Sequence, residues 1–139
     1  MPRGGVEKDS QPAAEPSRFA CLVARLLDDS RCEQVLVIDL RGLSPVTDYF
    51  VIATGTSDRQ IASVSQDVRE LARQEGQGPP SSDGAEGGGW VVADFFDVVV
   101  HLFSPELRSY YDLESLWADA PRVDWRSVTR PGQFAKLRA

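Results

Sequence analysis

Three places along the chain combine residue types that can do chemistry. The first is the run Thr54-Gly55-Thr56-Ser57-Asp58-Arg59-Gln60. A glycine turn between an apolar run and a helix start leaves free backbone N–H groups that can hold an anion, as nucleotide-binding turns do. Phosphate-transfer chemistry there also needs carboxylates for magnesium, usually a D-x-D pair on the next strand. The second place, Asp94 and Asp97, is the only strand-borne pair. Its spacing of three puts the two side chains on opposite faces of a regular strand, so they read as turn and surface aspartates. The third is His101, the single histidine, in Asp97-Val98-Val99-Val100-His101-Leu102-Phe103. No G-x-S-x-G nucleophile motif accompanies it, so a structural, hydrogen-bonded role is expected. Cys21 and Cys32 form no CxxC pattern. That excludes the usual Cys/His zinc sites and gives no disulfide scaffold, so a reducing, cytoplasmic setting is expected. No catalytic residue, metal site or cofactor is expected.

The aromatic residues make a different pattern. Trp90, Phe95, Phe96, Tyr110, Tyr111 and Trp117 crowd into the second half of the chain. Phe95 and Phe96 are consecutive, so one of them points outward or sits exposed on a turn. Exposed aromatics ringed by Asp94, Asp97 and Glu106 have the composition of a protein-binding hot spot; core packing is the alternative.

The elements that position these residues follow from periodicity. Residues 1–16 carry no apolar period and three prolines, and are expected to be a disordered tail. Ser17 is placed to cap a helix whose face is Phe19, Leu22, Val23, Leu26 and Leu27. Glu33 to Leu40 and Asp48 to Thr54 read as strands, antiparallel because their connection is short. Ser57 with Gln60 has capping-box spacing, and Ile61, Val64, Val68 and Leu71 mark one helical face ending before Gly76. Residues 76–89 hold six Gly, two Pro and two Ser in fourteen positions, the composition of a flexible loop. Trp90 to Phe95 and Asp97 to Phe103 read as a hairpin turning at Phe96. Ser104-Pro105-Glu106 starts a short, broken helical region.

With 139 residues, 42% of them hydrophobic, the chain suits one domain. It carries 15 basic and 21 acidic residues, a net charge of −6. Residues 17–120 alone carry −9 and residues 121–139 carry +4. The acidic body argues against gripping nucleic acid through phosphates and suits a basic protein partner. No window approaches a membrane span, and the N-terminus lacks signal-peptide and transit-peptide features.

Arg41 to Gln60 (RGLSPVTDYFVIATGTSDRQ), Asp94 to Phe103 (DFFDVVVHLF) and Tyr110 to Asp124 (YYDLESLWADAPRVD) resemble the ribosomal silencing factor family, also called iojap-like proteins. The likeness runs from about Ser17 to Asp124, with a basic tail at 125–139 outside it. It implies a single α/β domain with a mixed sheet flanked by helices, similar to nucleotidyltransferases but without catalytic carboxylates. It also implies a non-enzymatic translation repressor. Such proteins bind the large ribosomal subunit at its joining face, through the ribosomal protein numbered fourteen. They sterically block the small subunit when nutrients run short. The family's contact surface falls on Trp90, Phe95 and Tyr111, with Asp94 and Asp97 beside them. Phe96 stands where the family's hairpin usually has Gly, and a bulky residue at a positive-φ turn is strained. A homodimer when free from the ribosome is a further expectation, and the alternatives are a magnesium-dependent nucleotidyltransferase and a homodimeric adaptor with another protein partner.

Overall fold

The computed structural model describes residues 16–83 and 89–126. The expected tails, apart from Pro16 and from 125–126, lie outside the described residues, as does 84–88 of the glycine-rich stretch. Helix α1 spans Pro16–Asp29 and helix α2 spans Asp58–Gln74. The strands are β1 Glu33–Asp39, β2 Tyr49–Thr54, β3 Ser81–Asp83, β4 Trp90–Asp94 and β5 Val98–Phe103. Short helices α3, Pro105–Tyr111, and α4, Leu113–Leu116, follow β5. The strands form one sheet in the order β1-β2-β5-β4-β3. β2 and β5 are parallel and the other pairs antiparallel, so the sheet is mixed. The α/β expectation holds.

Register assigns every strand residue to a face, because side chains alternate with period two. Val37, Val51, Val98, Val100, Leu102, Val91 and Ala93 share one face. They pack with Phe19, Val23, Leu27, Ile61, Val64 and Val68 of α1 and α2 in the larger core. The opposite face carries Ile38, Ile52, His101 and Phe103, with Phe50, Val92 and Trp90. Among the described residues, only the short α3–α4 segment and the residues after it cover this side, through Leu107, Leu113, Trp117 and Ala120. The chain then returns along β1, where Val123 N donates to Val37 O (2.8 Å) and Asp39 N to Pro121 O (2.9 Å).

Three local expectations are corrected. Ser17 does not cap α1; the helix begins at Pro16, and the Ser17 side chain hydrogen-bonds Tyr49. The capping box at α2 is half formed: Ser57 Oγ accepts from Gln60 N (3.1 Å), but Gln60 Oε1 accepts from Thr56 N (2.6 Å) rather than Ser57 N. The stretch 76–89 is not all loop. Ser81–Asp83 pairs antiparallel with β4, Ser81 opposite Asp94 and Asp83 opposite Val92, because a sheet edge supplies bonding partners whatever the added segment's composition.

Candidate functional site

The half-covered face is built around an aromatic group. Trp90 opens β4 directly opposite Phe103 of β5, and their rings stack at 5.0 Å. Gly89, at φ 81°, sets the approach: its carbonyl accepts from Ser104 N at 2.7 Å, and an added Cβ would press on Leu107 and Ser104. Ser104 caps α3 through Leu107 N, and Pro105 fills the first helical position. One turn further, Tyr111 lies 4.4 Å from the Trp90 ring and 6.2 Å from Phe103. Tyr111 is 44% exposed and Tyr110, edge-on to it, 77% exposed.

His101 sits inside this group. Its ring meets Phe50 at 4.5 Å, and its Nδ1 accepts from Trp90 Nε1 at 3.2 Å. Burial pushes its pKa down to about 4, the Asp94 carboxylate opposing only in part. The imidazole is therefore neutral at pH 7, with its proton on Nε2.

The sequence-derived site residues do not all meet. Trp90 and Tyr111 come together as expected. Phe95 does not join them: it is 8% exposed and packs edge-on against Phe19 of α1, 5.2 Å away, in the larger core. Its parity explains this, since Val91, Ala93 and Phe95 continue one alternating row. The exposed ring of the hairpin is Phe96, at 77%. The turn around it is closely tied. Phe96 N donates to Asp94 Oδ1 (2.8 Å), Phe95 N to Val98 O (2.9 Å) and Asp97 N to Phe95 O (3.0 Å). That last bond closes a γ-turn with Phe96 at φ 82°, in the region that disfavours side chains. The Asp97 carbonyl accepts from both Asp48 N and Tyr49 N, anchoring the turn to the start of β2. Beside Phe96 lies an open cavity of about 360 Å³ lined by Gly78, Pro79, Ser81, Asp94 and Phe95.

The other candidate chemistry is spoken for. At the glycine turn, Gly55 N is bonded to Phe103 O, Thr56 N to Gln60 Oε1 and Gln60 N to Ser57 Oγ. Asp94 and Asp97 flank a turn and make no D-x-D pair. Among the described residues no group of three or more His, Cys, Asp or Glu is placed to hold a metal ion. Cys21 and Cys32 are buried free thiols pushed up to about 11 by desolvation, which keeps them protonated and unreactive.

Sequence reasoning missed Arg108. This buried side chain donates from Nε (2.9 Å) and Nη2 (2.7 Å) to Glu114 Oε2 and from Nη1 to Thr54 Oγ1 (2.9 Å). It pins α3 and α4 to the end of β2 and so fixes where Tyr111 stands. The available signal was its isolation as the one Lys or Arg between Arg73 and Arg122.

Comparison with known proteins identifies the frame that carries this face. The family described as "ribosomal silencing factor during starvation" matches residues 13–138. A Bacillus subtilis protein named ribosomal silencing factor is 41% identical over 103 residues, 74% of this chain and 87% of the relative. The maize chloroplast protein Iojap is 31% identical over 119 residues, 86% of this chain and 51% of the relative. A crystal structure from Chromobacterium violaceum superposes with a TM-score of 0.71 at 33% identity, covering 75% of this chain and 87% of that one. The family is named for regulation of the ribosome and not for an enzymatic reaction, and this chain belongs to it: it is a member of the ribosomal silencing factor family.

Proposed function

We propose that the half-covered sheet face docks on the large ribosomal subunit at its joining face. The direct partner is the ribosomal protein numbered fourteen, and the bound domain sterically excludes the small subunit when nutrients are short. Trp90 and Tyr111 are the central anchors, and Phe96 extends the contact at the hairpin. Asp94 and Asp97 supply negative charge toward a basic partner, while Phe95 holds the hairpin from inside. The protein acts in the cytoplasm without a cofactor, as a blocker that makes and breaks no bond.

The observation that carries this reading is the paired Trp90 and Tyr111 rings, 4.4 Å apart, on the thinly covered side of an acidic domain. Aromatic residues so placed are the usual centre of a binding hot spot. The test is co-sedimentation of the full chain with separated ribosomal subunits. It should pellet with large subunits and not with small ones, slow their joining, and bind more weakly as salt rises. Trp90→Ala with Tyr111→Ala should abolish pelleting while the fold survives. Equal affinity for both subunits, or binding indifferent to the double substitution, would overturn the proposal.

A further inference from the structure

We infer that the His101 Nε2–H group is held in reserve for a backbone carbonyl of the bound partner, which makes His101 the polar anchor of an otherwise apolar docking face. This rests on the docking reading above and adds to it a residue and a recognition chemistry. His101 is 6% exposed, and its Nε2 is solvent-excluded with no hydrogen-bond partner among the described residues. Its other ring nitrogen is occupied by the Trp90 indole N–H at 3.2 Å, which leaves the proton on Nε2. A buried donor without an acceptor is unfavourable, and native structures rarely keep one without a use.

The position of this donor suggests the use. His101 lies across from Val92 of β4 and Ile52 of β2, on the face that α1 and α2 do not cover. Of the rings around it, Phe103 is buried, while Phe50 and Trp90 are only partly buried. Phe50, half-buried, stands edge-on to the imidazole at 4.5 Å and to Trp117 at 6.3 Å. Reaching Nε2 requires a side-chain rearrangement at this face when a group of the partner binds, a common event at interfaces. The chemistry of that group follows from the surroundings. A carboxylate is disfavoured by Asp94, which shares this face, and by Asp97 and Glu106 nearby in sequence. A neutral carbonyl on a positively charged segment satisfies the donor and the acidic rim together.

The experiment measures affinity for isolated large subunits alongside the thermal midpoint of each variant. His101→Phe and His101→Leu remove the donor. His101→Gln keeps an N–H donor together with an oxygen that can accept from Trp90. Binding should fall about tenfold or more for the two apolar variants, the effect of one unanswered carbonyl. His101→Gln should stay within about threefold of wild type, the margin of an imperfect but paired contact. Affinity unchanged in the apolar variants, or lost equally in His101→Gln, overturns the inference. So does failure of both apolar variants to fold, because the imidazole would then be a structural group. The doubly substituted Trp90→Ala, Tyr111→Ala protein separates the two levels. If it loses binding while His101→Phe does not, only the His101 inference falls; if it also binds normally, the docking face itself is wrong.

Discussion

Replacing Phe96 by glycine should make the protein more stable and a poorer ligand at the same time. The backbone at Phe96 has φ 82° and is closed by the Asp97 N to Phe95 O bond, a γ-turn in which a side chain is crowded. Holding a non-glycine residue there costs about 1–3 kcal/mol. Glycine removes that strain but gives the unfolded chain more freedom, worth roughly 0.5–1 kcal/mol in the other direction. Phe96 is 77% exposed, so little packing is lost. The net expectation is about 1 kcal/mol of added stability, or roughly 4 °C in Tm for a domain of this size. Removing an exposed aromatic anchor should meanwhile weaken large-subunit binding by about 1–2 kcal/mol, the lower range for interface hot spots. Thermal denaturation and subunit co-sedimentation of the same preparation read both quantities. A lower Tm would mean that the turn is not strained as described. A higher Tm with unchanged affinity would mean that Phe96 takes no part in docking.

Phe95→Ala should behave in the opposite way to Phe96→Gly. It opens a cavity beside Phe19 and should cost about 3–5 kcal/mol of folding stability by chemical denaturation; a near-neutral effect would contradict its place in the core. Acid should weaken the fold through His101. Its pKa is lowered from 6.5 to about 4, so the unfolded chain takes up the proton first and stability falls as pH drops from about 6.5 to 4. The full loss is about 3 kcal/mol, and the pH slope in that window should largely vanish in His101→Gln. A wild-type slope that persists in that variant would place the titration elsewhere.

The parts of the fold that were legible are those where local pattern and tertiary packing agree. The 3.6-residue period of Phe19, Leu22, Val23 and Leu27 and of Ile61, Val64, Val68 and Leu71 gave both long helices. The β-branched runs gave four of the five strands. Ser81–Asp83 was hidden because its strand state is imposed by β4 and not by its own residues. The parallel pairing of β2 with β5 was equally silent, since long-range register leaves no local mark. Trp90 and Tyr111 were legible as a pair through the resemblance, but Phe95 was misplaced by it. Simple alternation from Val91 and Ala93 would have turned Phe95 inward and left Phe96 on the surface. Arg108 stood alone in the sequence, yet its two partners, Thr54 and Glu114, become neighbours only once α3 folds back on the sheet.

The two sides of the sheet are built to different ends. On one, α1 and α2 contribute 14 and 17 residues and cover nearly every apolar side chain. On the other, helices of seven and four residues leave Trp90, Phe50 and Val92 partly open. A second long helix there would have buried more apolar area, so the thin cover has to be explained by something other than stability. Its composition gives the explanation. Beside Phe50 and Val92 stand Trp90, Tyr110 and Tyr111, whose indole and phenol groups tolerate water while presenting a large apolar surface to a partner. Acidic residues nearby suit the basic partner proposed above. The strained turn at Phe96 and the unanswered donor at His101 are both locally unfavourable, and both belong to this same face or its rim. Such features are not confined to this side, since Arg25 Nε and Arg69 Nε on α1 and α2 are also buried without a partner among the described residues and Arg31, Gln34 and Asp112 also have positive φ, so it is the thin cover and the exposed rings that distinguish this face.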